Sequence, residues 1–295
     1  MSHGHSHAHG HSSNMRRVLI ALVLTATFMV VEVIGGVISG SLALLADAGH
    51  MLTDTMALAL AAVAFQVSKR PADSRLTYGY QRFQILAAFV NGLSLLLIVA
   101  WILYEAVNRF RNPNPILGDT MLLIAVIGLV VNMVAFAVLH SGDRDNLNIR
   151  GAALHVAGDL LGSVAAIIAA LVIIQTGWTP IDPLLSVAVA LLILRSAWIL
   201  VRRSAHVLLE GAPEWLDVDA MQQHIIRKVP SVLGVHHVHV WGMTPQDLML
   251  TMHVRLQGPP ENPTECIRQI KQVLKAEYGI GHTTVEIETD DCADH

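Results

Sequence analysis

The chain has 295 residues, of which 53% are hydrophobic and only 14% are Asp, Glu, Lys or Arg, against roughly a quarter charged in a soluble domain. Mean hydropathy is +0.53, which excludes a wholly soluble protein and points to a chain that crosses a bilayer several times. The formal net charge of −4 argues against nucleic acid as a partner, and two cysteines, Cys266 and Cys292, supply no disulfide framework.

Residues 2–11, SHGHSHAHGH, alternate His with Gly, Ser or Ala. Such a tract cannot build a core, so residues 1–15 read as a disordered tail. Its histidines, His3, His5, His7, His9 and His11, are candidates for weak metal capture. No cleavable signal is evident. Six apolar spans follow, at 16–37, 42–67, 83–107, 116–139, 147–174 and 181–201, each exceeding the ~20 residues a crossing helix needs. Residues 16–207 are therefore expected to form a six-helix transmembrane domain. Lys and Arg concentrate on one side: Arg16 and Arg17, then Lys69, Arg70, Arg75 and Arg82, then Arg144 and Arg150, then Arg202 and Arg203. The other side carries only Arg109 and Arg111. This asymmetry puts both termini in the cytoplasm.

Ionisable groups at membrane depth are costly and mark function. Span two contains His50 and Asp54, at i and i+4 on one helix face. Span five repeats the spacing with His155 and Asp159. Each pair lies 8 and 12 residues from its span start, Leu42 or Leu147, or about 12–18 Å into the bilayer. The spans run in opposite directions, so the pairs meet near the midplane, where carriers bind substrate. Two imidazoles and two carboxylates fit a tetrahedral divalent-metal site, zinc first. Ordinary polar packing would explain one such residue, but it struggles with four at one depth. Asp47, one turn before His50 and near the span start, is explained equally well by capping or loop structure. Glu32, Asn91, Asn132 and Arg195 are also membrane-embedded or nearly so, with packing or a water cavity as open as ligation. Gly35-Gly36 is expected to allow a bend or a close helix approach.

From about Leu208 the composition becomes soluble, and residues 208–295 read as a separate cytoplasmic domain. Asp217 to Val229 reads as a helix. Val232 to Met243 and Leu248 to Leu256 alternate as strands around a Thr244–Asp247 turn. Pro263 to Tyr278 reads as a second helix and His282 to Thr289 as a third strand. The order α-β-β-α-β suggests a small sheet covered on one face by two helices. Alternation brings His236 and His253 together across the hairpin, and sends His237 and His239 to the other face. His236 and His253 then make the core of a cytoplasmic metal site. His282, Glu286, Glu288 or the tail group Asp290-Asp291-Cys292 are candidates to complete it. Cys266 reads as structural.

The stretches SLALLADAGHMLTD, YGYQRFQILAA, GAALHVAGDLLGS, LLEGAP and VHHVHVWGM, with the His-rich tail, together resemble the cation diffusion facilitator family, especially its bacterial zinc-efflux branch. The resemblance covers essentially the whole chain. It implies an α-helical membrane protein with six transmembrane helices plus a small α+β, metallochaperone-like cytoplasmic domain. It implies a homodimer in the bacterial inner membrane that exchanges cytoplasmic Zn²⁺ for protons, with Cd²⁺, Co²⁺ and Ni²⁺ as alternative ions. His50, Asp54, His155 and Asp159 occupy the family's transport-site positions. His236 and His253 match regulatory zinc positions, with His282, Glu288 and Cys292 as candidate co-ligands. Arg82 and Glu210 match a basic and an acidic position that lock the two membrane halves together. Some relatives bind metal in the loop between spans two and three. Here Asp73 remains but Leu76 and Tyr80 replace imidazoles, so no site is expected there. The rival readings are a membrane metalloenzyme and a metal sensor. The first lacks an H-E-x-x-H motif; the second leaves the membrane quartet without purpose.

Overall fold

The computed structural model describes residues 8–140, 147–244, 247–258, 262–289 and 292; the side chains of 8–18, 61, 147–152, 154 and 155 lie outside the description. Six long helices come first: α1 (Ala8–Ser39), α2 (Leu42–Ser68), α3 (Phe83–Arg111), α4 (Gly118–His140), α5 (Leu147–Thr176) and α6 (Ile181–Leu208). Among the described residues these six are long and apolar enough to cross a membrane. Helix α1 starts at Ala8, so residues 8–15 of the expected disordered tail are helical. Once a helix has nucleated, each further residue costs little to add, and the apolar span supplies the nucleus. Residues 1–7, with His3, His5 and His7, lie outside the described residues, as do the side chains of His9 and His11.

The chain divides into two compact units, one of residues 1–60 and 90–199, the other of 61–89 and 200–295. In the first, small residues let the helices approach closely. Ala21 of α1 packs with Ala135 and Leu139 of α4 and Val156 of α5. Ala43 and Leu44 of α2 meet Met121 and Ala125 of α4 and Ala166 and Ala170 of α5. A separate cluster joins Ala46 of α2 to Ile102 of α3 and Ala190 and Ala197 of α6. Helices α1 and α4 approach closely at two glycines: a Cβ on Gly35 would lie 2.5 Å from Ile124, and one on Gly128 would lie 2.6 Å from Phe28. The expected close approach at Gly35 is therefore present. Large apolar side chains such as Leu97, Leu161 and Leu192, each 73% exposed, point outward, as suits a hydrocarbon surround.

The second unit holds α7 (Val218–Lys228), β1 (Val232–Gly242), β2 (Leu248–Leu256), α8 (Pro263–Tyr278) and β3 (His282–Glu288), together with the loop 69–82 and the adjoining ends of α2, α3 and α6. Asp217 caps α7 by accepting from the Ala220 amide at 2.9 Å, and Asn262 caps α8 through the Glu265 amide at 3.1 Å. The sheet order is β1-β2-β3, with β1 and β2 antiparallel and β2 and β3 parallel. Parallel pairing is possible because α8 carries the chain back across the sheet. Leu248, Leu250, Met252, Val254 and Leu256 of β2 all face one core with Met221, Ile225, Ile270 and Leu274 of the helices. The intervening β2 residues, His253 among them, face away from that core.

Candidate metal sites

The first site lies within the membrane helices. The i, i+4 spacing on α2 puts the His50 Nε2 3.6 Å from the Asp54 Oδ2. Thr53, between them, donates its hydroxyl to the His50 carbonyl at 2.7 Å. From α5, Asp159 is 7% exposed. Asp54 and Asp159 line one cavity of about 120 Å³ with Thr25, Thr55, Leu58 and Leu139. Asp159 is braced from behind: Ser163 donates to its carbonyl at 3.0 Å, and the Asn132 amide of α4 donates to Ser163 at 3.3 Å. His155 precedes Asp159 by one turn on the α5 backbone, but its side chain lies outside the described residues.

Two acidic residues beside this site exceed what the spacing assigns. Glu32 of α1, 3% exposed, hydrogen-bonds the Asp47 carboxyl one turn before His50. Asp47 also faces α5, where a Cβ on Gly162 would lie 3.8 Å from its Oδ1. Asp47 therefore does more than cap a helix start. The signal available in the sequence was a glutamate inside an apolar span. Arg195 is on the exposed face of α6.

The second site lies on the sheet. His236 pairs directly with His253 across β1 and β2. Glu288, 7% exposed, joins them: its Oε1 is 2.9 Å from the His253 Nδ1 and its Oε2 is 2.9 Å from the His236 Nε2. The Cys292 Sγ is 3.6 Å from the His253 Nδ1. One ligand atom from each of these four residues lies within 4.8 Å of the others. Two nitrogens, one carboxylate oxygen and one sulfur make a donor set that would suit zinc. Burial opposes ionisation of Glu288, yet hydrogen bonds from Cys292 and His253 and the nearby His236 hold its carboxyl below the usual glutamate range.

Two expectations for this cluster need correction. His237 does not face away. The β1–β2 ladder shifts register between His236 and His239, and His237 takes a left-handed φ of 47°. A bulge cancels the strand alternation at that point. The His237 ring consequently stands 5.0 Å from the His253 ring and 5.8 Å from that of His236. His282 does not reach the cluster. It pairs with Met249, four ladder positions from the His253↔Glu286 pair, or about 13 Å along the strand. Its ring instead meets Tyr78 edge-on at 6.2 Å. Glu286 stands at the rim, its Oε2 3.6 Å from the His253 Nε2.

In the loop between α2 and α3, Asp73 Oδ1 accepts from the Arg75 and Leu76 amides, each at 2.8 Å. Its Oδ2 accepts from the Tyr80 hydroxyl at 2.7 Å. The Tyr80 phenol thus occupies the carboxylate that a metal would need. Nearby, the Arg82 Nη1 lies 3.1 Å from the Glu210 Oε1, with the two side chains 28% and 63% exposed. This pair closes within one chain.

Comparison with known proteins matches both the membrane helices and the sheet-containing part of the chain. Residues 18–209 match the cation efflux transmembrane domain, and residues 216–290 match the cytoplasmic domain of cation efflux proteins. The chain is 51% identical over 295 residues to the zinc transporter ZitB of Pectobacterium atrosepticum, covering 100% of this chain and 91% of the relative. It is 42% identical over 291 residues to the metal cation efflux system protein CzcD of Cupriavidus metallidurans, covering 99% and 90%. It is 43% identical over 290 residues to a protein of Bacillus velezensis named as a cadmium, cobalt and zinc/H(+)-K(+) antiporter, covering 97% and 92%.

Proposed function

The chain belongs to the cation efflux family, and from that premise we propose that it exports cytoplasmic Zn²⁺ across the bacterial inner membrane in exchange for protons. Divalent metal efflux is in keeping with relatives named as a zinc transporter, a metal cation efflux protein and a cadmium, cobalt and zinc antiporter. Its family and relatives are transporters rather than enzymes. The observation that carries the zinc reading is the shared cavity, which brings Asp54 and Asp159 to one space from two helices. His50 and, from its place on α5, His155 complete a two-imidazole, two-carboxylate set suited to zinc.

Coupling follows from the chemistry of that set. A cation binds ionised carboxylate and neutral imidazole, so loading releases protons and protonation releases the cation. No Lys or Arg is needed to return the site to its starting charge. The cytoplasmic cluster of His236, His253, Glu288 and Cys292 is a regulatory zinc site in this reading. Zinc there would rigidify the soluble domains and favour a homodimer. Both termini lie in the cytoplasm.

The test is zinc flux in proteoliposomes under an imposed pH gradient. Zinc should move down the coupling direction set by that gradient, with protons moving oppositely. Zinc flux indifferent to pH, without proton movement, would replace antiport with uniport. Asp54→Ala and Asp159→Ala should each reduce flux to background while the protein stays folded; full flux in both would remove the site assignment.

A further inference from the structure

We infer that Asp182, Arg109 and Ser41 form the outer gate of the carrier, a polar latch that is closed in this structure and must part before metal can leave. Asp182, the second residue of α6, is fully buried, as are Ser41 and Leu42. Its carboxylate accepts from the Ser41 hydroxyl at 2.5 Å, from the Leu42 amide at 2.7 Å and from the Ala43 amide at 3.1 Å. It therefore caps the N-terminus of α2 from another helix, satisfying amides that would otherwise be orphaned. Arg109, in the last turn of α3, lies 3.7 Å from the same carboxylate. Arg109 also donates to the Gly40 carbonyl and is steadied by Glu105 at 2.9 Å. One cluster thus ties the α1–α2 connection, the end of α3 and the start of α6.

The position of the latch relative to the cavity gives it a role. The cavity at Asp54 and Asp159 continues along Leu58, toward the end of α2, and Leu139, in the last turn of α4. It therefore runs toward the face that carries the α2–α3 and α4–α5 connections. The latch sits on the opposite face, with the α1–α2, α3–α4 and α5–α6 connections. Between it and the cavity, Ala43, Leu44, Met121 and Ile173 are packed as core. The lining of the cavity thus extends toward one face, while packed core separates it from the other. A carrier must expose its site alternately, and this buried cluster ties the start of α2 to both α3 and α6 at that face. A buried, charge-assisted network of this kind holds firmly while complete and weakens sharply when one member is lost. The same contact makes Asp182 a positioning residue, because α2 carries His50 and Asp54.

This inference rests on the transport reading above, and the experiments separate the two. In Ser41→Cys/Asp182→Cys full-length protein, oxidation should form a disulfide between positions that touch here. Zinc flux in proteoliposomes should then fall at least tenfold and return on reduction, with the oxidised wild type, which keeps Cys266 and Cys292, unaffected. A cross-linked carrier that moves zinc at its reduced rate, or a pair that does not cross-link, would overturn the gate. A merely structural contact would tolerate being locked. Independently of flux, Ala43→Cys should react at least fivefold faster with a membrane-impermeant thiol reagent, added from the outer face, when Asp182→Asn is also present. An unchanged rate in monodisperse protein would equally overturn the gate. Absence of zinc flux in the wild type would instead defeat the transport reading, while the thiol reactivity would still report on the latch.

Discussion

At the scale of single residues, the donor atoms set what each site can hold. In the proposed transport site His50 would contribute a borderline nitrogen beside the hard oxygens of Asp54 and Asp159. Replacing it as His50→Asp makes the site wholly hard at that corner, and ligand type with geometry governs metal choice. The ratio of zinc to cadmium flux should change in that variant; an unchanged ratio would count against His50 as a ligand. On the sheet, Glu288 holds His236 with one oxygen and His253 with the other. His236→Ala/His253→Ala should therefore lower bound zinc by at least one per protomer and leave residual transport. Calorimetry showing undiminished stoichiometry would remove this cluster from the list of zinc sites. Asp73 and Tyr80 act differently, because their bond orders a loop without metal. Hydrogen bonds from the Tyr80 hydroxyl and then from the Leu76 and Arg75 amides hold Asp73 below its ordinary value. A lowered carboxylate contributes order above its unfolded value of about 3.9 and loses it as pH falls below that. Tyr80 is raised by the same bond, so its contribution persists below about 10 and disappears as pH rises further. Amide exchange in 73–80 should thus be slow between those limits, and Tyr80→Phe should speed it at neutral pH.

At the scale of elements, packing depends on where bulk is absent. Helices α1 and α4 approach at Gly128, where an added Cβ would meet the Phe28 ring at 2.6 Å. Gly128→Ala should destabilise the membrane domain by about 1–3 kcal/mol, as overpacking does. Phe28→Leu on that background makes room and should recover part of the loss, read as thermal stability in detergent. If Phe28→Leu only adds to the damage, the contact is not the cause. The soluble domain is held in the usual way by burial. Leu274 of α8 is fully buried in the sheet core, and Leu274→Ala should cost about 2–5 kcal/mol of domain stability. That loss should not alter the donor set on the other face of the sheet.

At the scale of the whole molecule, the question is how one protomer is held ready for transport. Glu210 is 63% exposed in its pair with Arg82, so water screens it and the pair contributes only ~0–1 kcal/mol. Its role is therefore geometric. Arg82→Glu should slow zinc flux, and Glu210→Arg on that background should restore part of it by reversing the pair. No recovery in the double variant would reduce Arg82 to a residue that orients the chain in the membrane.

The sequence by itself determined the features that follow from a fixed local period. An α-helix returns to the same face after about 3.6 residues, so the approach of His50 to Asp54 was legible from spacing alone. A strand alternates every two, so the His236↔His253 pair and the buried row of β2 were also legible. Contacts between remote segments were decided only by the tertiary structure. Asp182 caps a helix start 140 residues away in the chain, and Glu32 meets Asp47 from a different helix. No period links such positions; only packing at Ala-rich helix contacts brings them together. Where local rules are broken, the sequence misleads. One bulge at His237 turned a side chain to the opposite face from its alternation. The ladder register, set by the return of the chain through α8, placed Glu288 beside His236 and His253 and left His282 against Tyr78.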